Sequence, residues 1–102
     1  MTRQEVLDIL RVHMPEIKKR FGVKKLGIFG SVARDEATNG SDVDIIVEFE
    51  ENRGSIKDVG GLYLYIKDIL NTNIDILTTS SIKYIRYDEV KENIREDTIY
   101  VG

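Results

Sequence analysis

Residues 30–44 read GSVARDEATNGSDVD. The stretch opens with a Gly-Ser pair at the end of one apolar run, Lys25–Phe29 (KLGIF), and closes with two aspartates at the start of the next. Val43, Ile45, Val47 and Phe49 alternate with Asp42, Asp44, Ile46 and Glu48, the period of a strand with one face buried. Asp42 and Asp44 are therefore expected on the same face of that strand. Two carboxylates side by side repel, and a hard divalent cation with oxygen ligands relieves that repulsion. Gly30 is placed at a turn where backbone N–H groups and the Ser31 hydroxyl are expected to meet phosphate.

Working outward, Thr2 and Glu5 have the spacing of a capping box, and Val6, Ile9, Leu10, Ile17 and Phe21 mark one helical face that Gly22 ends. Pro15 predicts a kink or a restart within that helix, with Pro15 in a first turn. Lys18, Lys19 and Arg20 fall in the last turn, a solvated end suited to the helix dipole. His13 reads as a packing residue and not as a ligand. A short helix is expected from Ser31 to about Ala37, and 38–41 (TNGS) has loop composition.

Downstream, Ile56–Leu70 has helical apolar spacing, with Gly60-Gly61 weakening its start. Residues 73–77 (NIDIL) form a third strand, with Ile74 and Ile76 on one face and Asp75 on the other. Ser80 or Ser81 is expected to cap a short helix through Tyr84 and Ile85, a helix follows over Asp88–Ile94, and Ile99–Val101 forms a terminal strand or an extended tail. Tyr63, Tyr65, Tyr84, Tyr87 and Tyr100 read as packing or interface residues. The pattern predicts a small α/β domain, one unit over 1–102, with a short mixed sheet and helices mainly on one face.

The net charge of −3 offers no case for general nucleic-acid binding, and the absence of cysteine excludes disulfides, thiolate metal sites and cysteine nucleophiles. No apolar run approaches bilayer-spanning length, so the expectation is a cytoplasmic protein with no membrane partner. If the third strand lies beside the second, Asp75 joins Asp42 and Asp44. Two Mg²⁺ ions shared by these carboxylates would clamp the attacking and leaving oxygens of a phosphoryl or nucleotidyl displacement, with Asp75 also a candidate base.

The spaced motif of Gly30-Ser31, Ala33-Arg34, Ser41-Asp42 and Asp44, followed by a strand aspartate at Asp75, resembles the nucleotidyltransferase superfamily of DNA polymerase beta. It is most similar to the minimal nucleotidyltransferases, the antitoxin partners of HEPN-domain toxins, and the likeness spans nearly the whole chain. The resemblance implies a nucleotidyltransferase fold, Asp42, Asp44 and Asp75 as catalytic metal ligands, and nucleotide contacts at Gly30, Ser31, Arg34 and Ser41. Arg34 reads equally well as a solubilising charge.

The resemblance further implies ATP as substrate, transfer of AMP to a tyrosine hydroxyl of a HEPN ribonuclease, and a hetero-oligomeric complex with that toxin. Two rival readings are an antitoxin that neutralises its toxin by binding alone, and the catalytic subunit of a small-molecule nucleotidyltransferase. Asp35 departs from the pattern, since such sequences often carry glycine after the arginine.

Overall fold

The computed structural model describes residues 1–37, 40, 42–82, 84 and 88–101. Nineteen residues form α1, Arg3–Phe21, and both halves of its capping box are made. The Glu5 N–H donates to Thr2 Oγ1 at 3.2 Å, and the Thr2 N–H donates to Glu5 Oε1 at 3.2 Å. Gly22 ends the helix in the left-handed region (φ 69°) and donates its N–H to the Lys18 carbonyl.

Of the kink or restart expected at Pro15, no restart occurs: the helix runs through it. Met14 and Ile17, flanking the exposed proline, are both buried, and their burial offsets the backbone hydrogen bond that proline cannot donate.

Strand β1, Val23–Phe29, leads into a four-residue helix α2, Gly30–Ala33. That helix stops four residues short of the expected Ala37, because Asp35 turns left-handed (φ 61°). After the loop come β2 (Val43–Phe49), α3 (Ile56–Leu70), β3 (Ile74–Thr78), α4 (Thr79–Ile82), α5 (Asp88–Asp97) and β4 (Ile99–Val101). Gly60-Gly61 does not break α3. An added Cβ at Gly61 would stand 2.8 Å from the Phe21 ring, so the glycine lets the end of α1 approach α3.

The cap of α4 is Thr78, whose Oγ1 accepts the Ser81 N–H at 3.2 Å, and not Ser80 or Ser81. That helix ends at Ile82, Tyr84 lies in a turn, and Ile85 and Tyr87 lie outside the described residues.

The sheet order is β3-β2-β1-β4, with β1 antiparallel to both β2 and β4 and β2 parallel to β3. The parallel pair requires a crossover, which α3 supplies. The buried core joins Leu10, Ile17 and Phe21 of α1 and Leu62 and Ile66 of α3 to Leu26, Ile28, Ile45, Val47 and Ile74 of the sheet. On the other face, Ile46 is only 2% exposed, so that side is not given over wholly to the carboxylates. His13 packs at the α1–α3 contact, its Nδ1 2.9 Å from the Tyr65 hydroxyl. Among the described residues no helix is long and apolar enough to cross a membrane.

Candidate active site

The site is built where β1 gives way to α2 and where β2 begins. Gly30 takes φ 72°, a conformation that glycine adopts freely and other residues at a cost. It also faces Asp44: a Cβ at position 30 would run into the Asp44 carboxylate. Chain direction and close packing thus both require glycine here. Ser31 follows in the first turn of α2, half-buried. The far end of α2 is held by Arg3 of α1, whose guanidinium donates to the Ala33 carbonyl at 3.2 Å.

Register brings the acids together. Asp44 pairs with Phe29 on one side and Asp75 on the other, so all three point to the same face of the sheet. Adjacent strands lie about 4.8 Å apart, which sets the backbone spacing of Asp44 and Asp75. Asp42 precedes β2 by one residue and is exposed, as is Asp75; Asp44 is half-buried.

Burial raises the Asp44 carboxyl above its usual range, and the charges of Asp75 and Asp42 add to that, while Arg34 opposes it. Its neighbours of like charge make this a place that favours a cation. Two oxygen-donor side chains share one face, and the charge of Asp42 is felt at Asp44; carboxylates are the ligand type that a hard divalent ion takes. They stand as a shared face and not as a closed ligand shell. Among the described residues no group of three or more His, Cys, Asp or Glu side chains is close enough to hold one ion.

Arg34 sits at the C-terminal end of α2 and is engaged by two acids. Its Nη1 donates to Asp97 at 2.7 Å and its Nε to Glu36 at 3.1 Å, and both bonds raise its already high pKa. Asp97 escaped the sequence reading. It lies 63 residues away on α5, and no local pattern couples it to Arg34. Ser41 lies outside the described residues. Asp35 is exposed and left-handed, a conformation that aspartate tolerates better than most residues.

Residues 10–101 match the nucleotidyltransferase domain family. A protein of Methanocaldococcus jannaschii, provisionally named a protein adenylyltransferase, is 42% identical over 101 residues, 98% of each chain. The protein adenylyltransferase MntA of Thermococcus cleftensis is 36% identical over 101 residues, 99% of this chain and 97% of its own. Among solved structures, a minimal nucleotidyltransferase superposes with a TM-score of 0.73 at 30% identity, covering 97% of this chain and 95% of that one. The fold is also shared with a complex of a tri-AMPylated HEPN toxin of Shewanella oneidensis and its MNT antitoxin. There the TM-score is 0.61 at 11% identity, over 94% of this chain and 71% of that one.

Proposed function

We propose, since this chain belongs to the nucleotidyltransferase domain family, that it transfers AMP from ATP to a tyrosine hydroxyl of a HEPN-type toxin and silences that toxin. The observation that carries the reading is the row Phe29, Asp44, Asp75 with Gly30 packed on Asp44. It sets the acids and the glycine turn on one patch of the sheet. Relatives named as protein adenylyltransferases support a protein acceptor, and the fold shared with an antitoxin in complex with an AMP-bearing HEPN toxin supports the partner.

In this reading Gly30 and Ser31 hold the terminal phosphates of ATP, and Asp42, Asp44 and Asp75 are the residues that would hold Mg²⁺. Bound there, the cation would supply Lewis-acid stabilisation of the charge that develops on the phosphate oxygens. Asp75 orients the acceptor hydroxyl and takes its proton as the oxygen attacks the α-phosphorus. The new bond joins acceptor oxygen to phosphorus, the bond to the β-phosphate oxygen breaks, and pyrophosphate leaves. Gly30 lets the backbone approach the departing group without a side chain in the way.

The test is to incubate the chain with Mg²⁺, ATP and the HEPN-type protein encoded beside it, and to weigh that protein intact. The expected result is mass added in units of AMP, lost when Asp42→Asn and Asp44→Asn are combined. Neutralisation of the toxin with no mass change, by wild type and double variant alike, would show that binding alone silences it.

A further inference from the structure

The helix α2 that carries Gly30 and Ser31 is a single turn of four residues, too short to repay the cost of fixing its own backbone. Its N-cap is Phe29, whose side chain has no oxygen to accept the first N–H groups. Its order therefore depends on the rest of the chain. Val32 and Ala33 are buried, and Arg3 holds the Ala33 carbonyl from α1. On the exposed side Arg34 ties α2 to Asp97 of α5.

That tie leads straight back to the glycine turn. The Arg34 N–H donates to the Gly30 carbonyl at 3.1 Å, and the Glu36 N–H donates to the Ser31 carbonyl at 2.8 Å. The side chains of the same two residues meet each other, and the Arg34 guanidinium meets Asp97 at 2.7 Å. Asp97 in turn is fixed to the sheet. It ends α5, the Thr98 hydroxyl donates to the Ile94 carbonyl at 2.6 Å, and Ile99 pairs with Ile28 just before Gly30. The chain leaves the Ile28–Ile99 pair in both directions and closes again at Arg34–Asp97, with Gly30 and Ser31 part of that ring.

We propose that Asp97 is a positioning residue for nucleotidyl transfer, setting the Gly30-Ser31 turn against Asp44 through the Arg34 guanidinium. The proposal rests on the reading of that turn as the element that holds phosphate, and it takes Arg34 out of the nucleotide contacts. Although the charge of Arg34 is felt at Asp44, a cation between two carboxylates has little attraction left for a triphosphate. Its planar fork suits the holding of two acids in fixed directions.

With their side chains 43% and 25% exposed, Arg34 and Asp97 contribute little to global stability by their pairing. What the pair fixes is place. Gly30 packs so closely on Asp44 that a methyl group would collide, and a small shift of the turn changes the distance from phosphate to acids.

The first measurement needs neither metal nor nucleotide. In Asp97→Ala, hydrogen exchange of the Arg34 and Glu36 amides is expected to quicken about tenfold, while amides of β1 and β2 keep their protection. The second is a double-mutant cycle on the binding of AMP-PNP, a non-hydrolysable ATP analogue, with Mg²⁺. Asp97→Ala and Arg34→Ala are each expected to weaken binding about tenfold, and the double variant no further, because one link is broken in all three. Asp97→Glu, which keeps a carboxylate within reach of the guanidinium, should recover most of the loss.

Tighter AMP-PNP binding in Asp97→Ala, or weakening in Arg34→Ala alone, would make Arg34 a phosphate ligand and overturn the proposal. Protection lost from β1 and β2 together with α2 would overturn it as well, since Asp97 would then serve the whole fold. If the wild-type chain does not bind AMP-PNP, the reading of the turn as the holder of phosphate fails, and the proposal falls with it.

Discussion

Asp44 and Asp75 are direct partners across the parallel β2–β3 ladder, though 31 residues of chain separate them. Two acids on adjacent strands and one face repel, and Asp44 registers this as a raised pKa, after the larger effect of its own burial. Their pairing is a cost to the fold that a bound cation would offset.

Asp75→Asn removes the proposed proton acceptor while keeping size and polarity. The expected loss of AMP transfer is about 10²- to 10⁴-fold, the range for one general base. The thermal midpoint should stay the same or rise, because a repulsive contact with Asp44 goes. Single-turnover transfer and a melting curve check the two halves. Unimpaired transfer would remove Asp75 from the mechanism.

Gly30→Ala meets two penalties at once, a left-handed φ and a collision with the Asp44 carboxylate. A destabilisation of about 1–2 kcal/mol is expected from the backbone alone. Nucleotide binding should weaken as well, since Asp44 must shift. Urea unfolding and calorimetric titration with AMP-PNP measure these, and a fully stable, fully binding alanine variant would refute the close packing.

Pro15→Ala restores an N–H donor to the interior of α1 at an exposed position. The expected gain is about 1–3 kcal/mol, the propensity difference less whatever relief the helix has already found. Transfer activity should be unchanged. Chemical denaturation decides it: a loss of stability would mean that the proline ring makes a contact the helix needs.

Asp58 carries the clearest pH signature. Arg53 donates to both of its oxygens at 3.0 Å, and the Gly54 N–H donates to it at 3.0 Å, which lowers its pKa from 3.8 to about 2. The folded state therefore holds the proton less tightly than the unfolded chain. The stabilisation is fully present above the unfolded value of 3.8, and is lost as pH falls through about 2. The melting-temperature gap between wild type and Asp58→Asn should be constant at neutral pH and shrink over that acid window. A gap that is unchanged down to about pH 2 would contradict the assignment.

Much was legible in local sequence because its cause is local. The capping box of α1, the stop at Gly22 and the period-two alternation of β2 each depend on residues within one turn or one strand. The misreadings have a shared origin. The restart allowed for at Pro15 followed from backbone propensity, and tertiary burial of Met14 and Ile17 kept the helix continuous. The cap of α4 was placed on serine by composition, when Thr78 at the end of β3 is the residue whose hydroxyl accepts the Ser81 N–H. Residues 38, 39, 41, 83, 85–87 and 102 stand outside the described structure, so the expected contact of Ser41 has no counterpart in it.

By itself the sequence determined the residue types and their spacing: the glycine bend, the aspartates two apart, and the amphipathic helices that demand a sheet to cover. Only the tertiary structure decided that β3 lies parallel beside β2 in the register that sets Asp75 against Asp44. It alone brought Asp97 to Arg34 and Tyr100 to Gly27. The physical reason is that spacing along a strand follows from covalent geometry, whereas pairing between strands is chosen by which faces the whole core must bury.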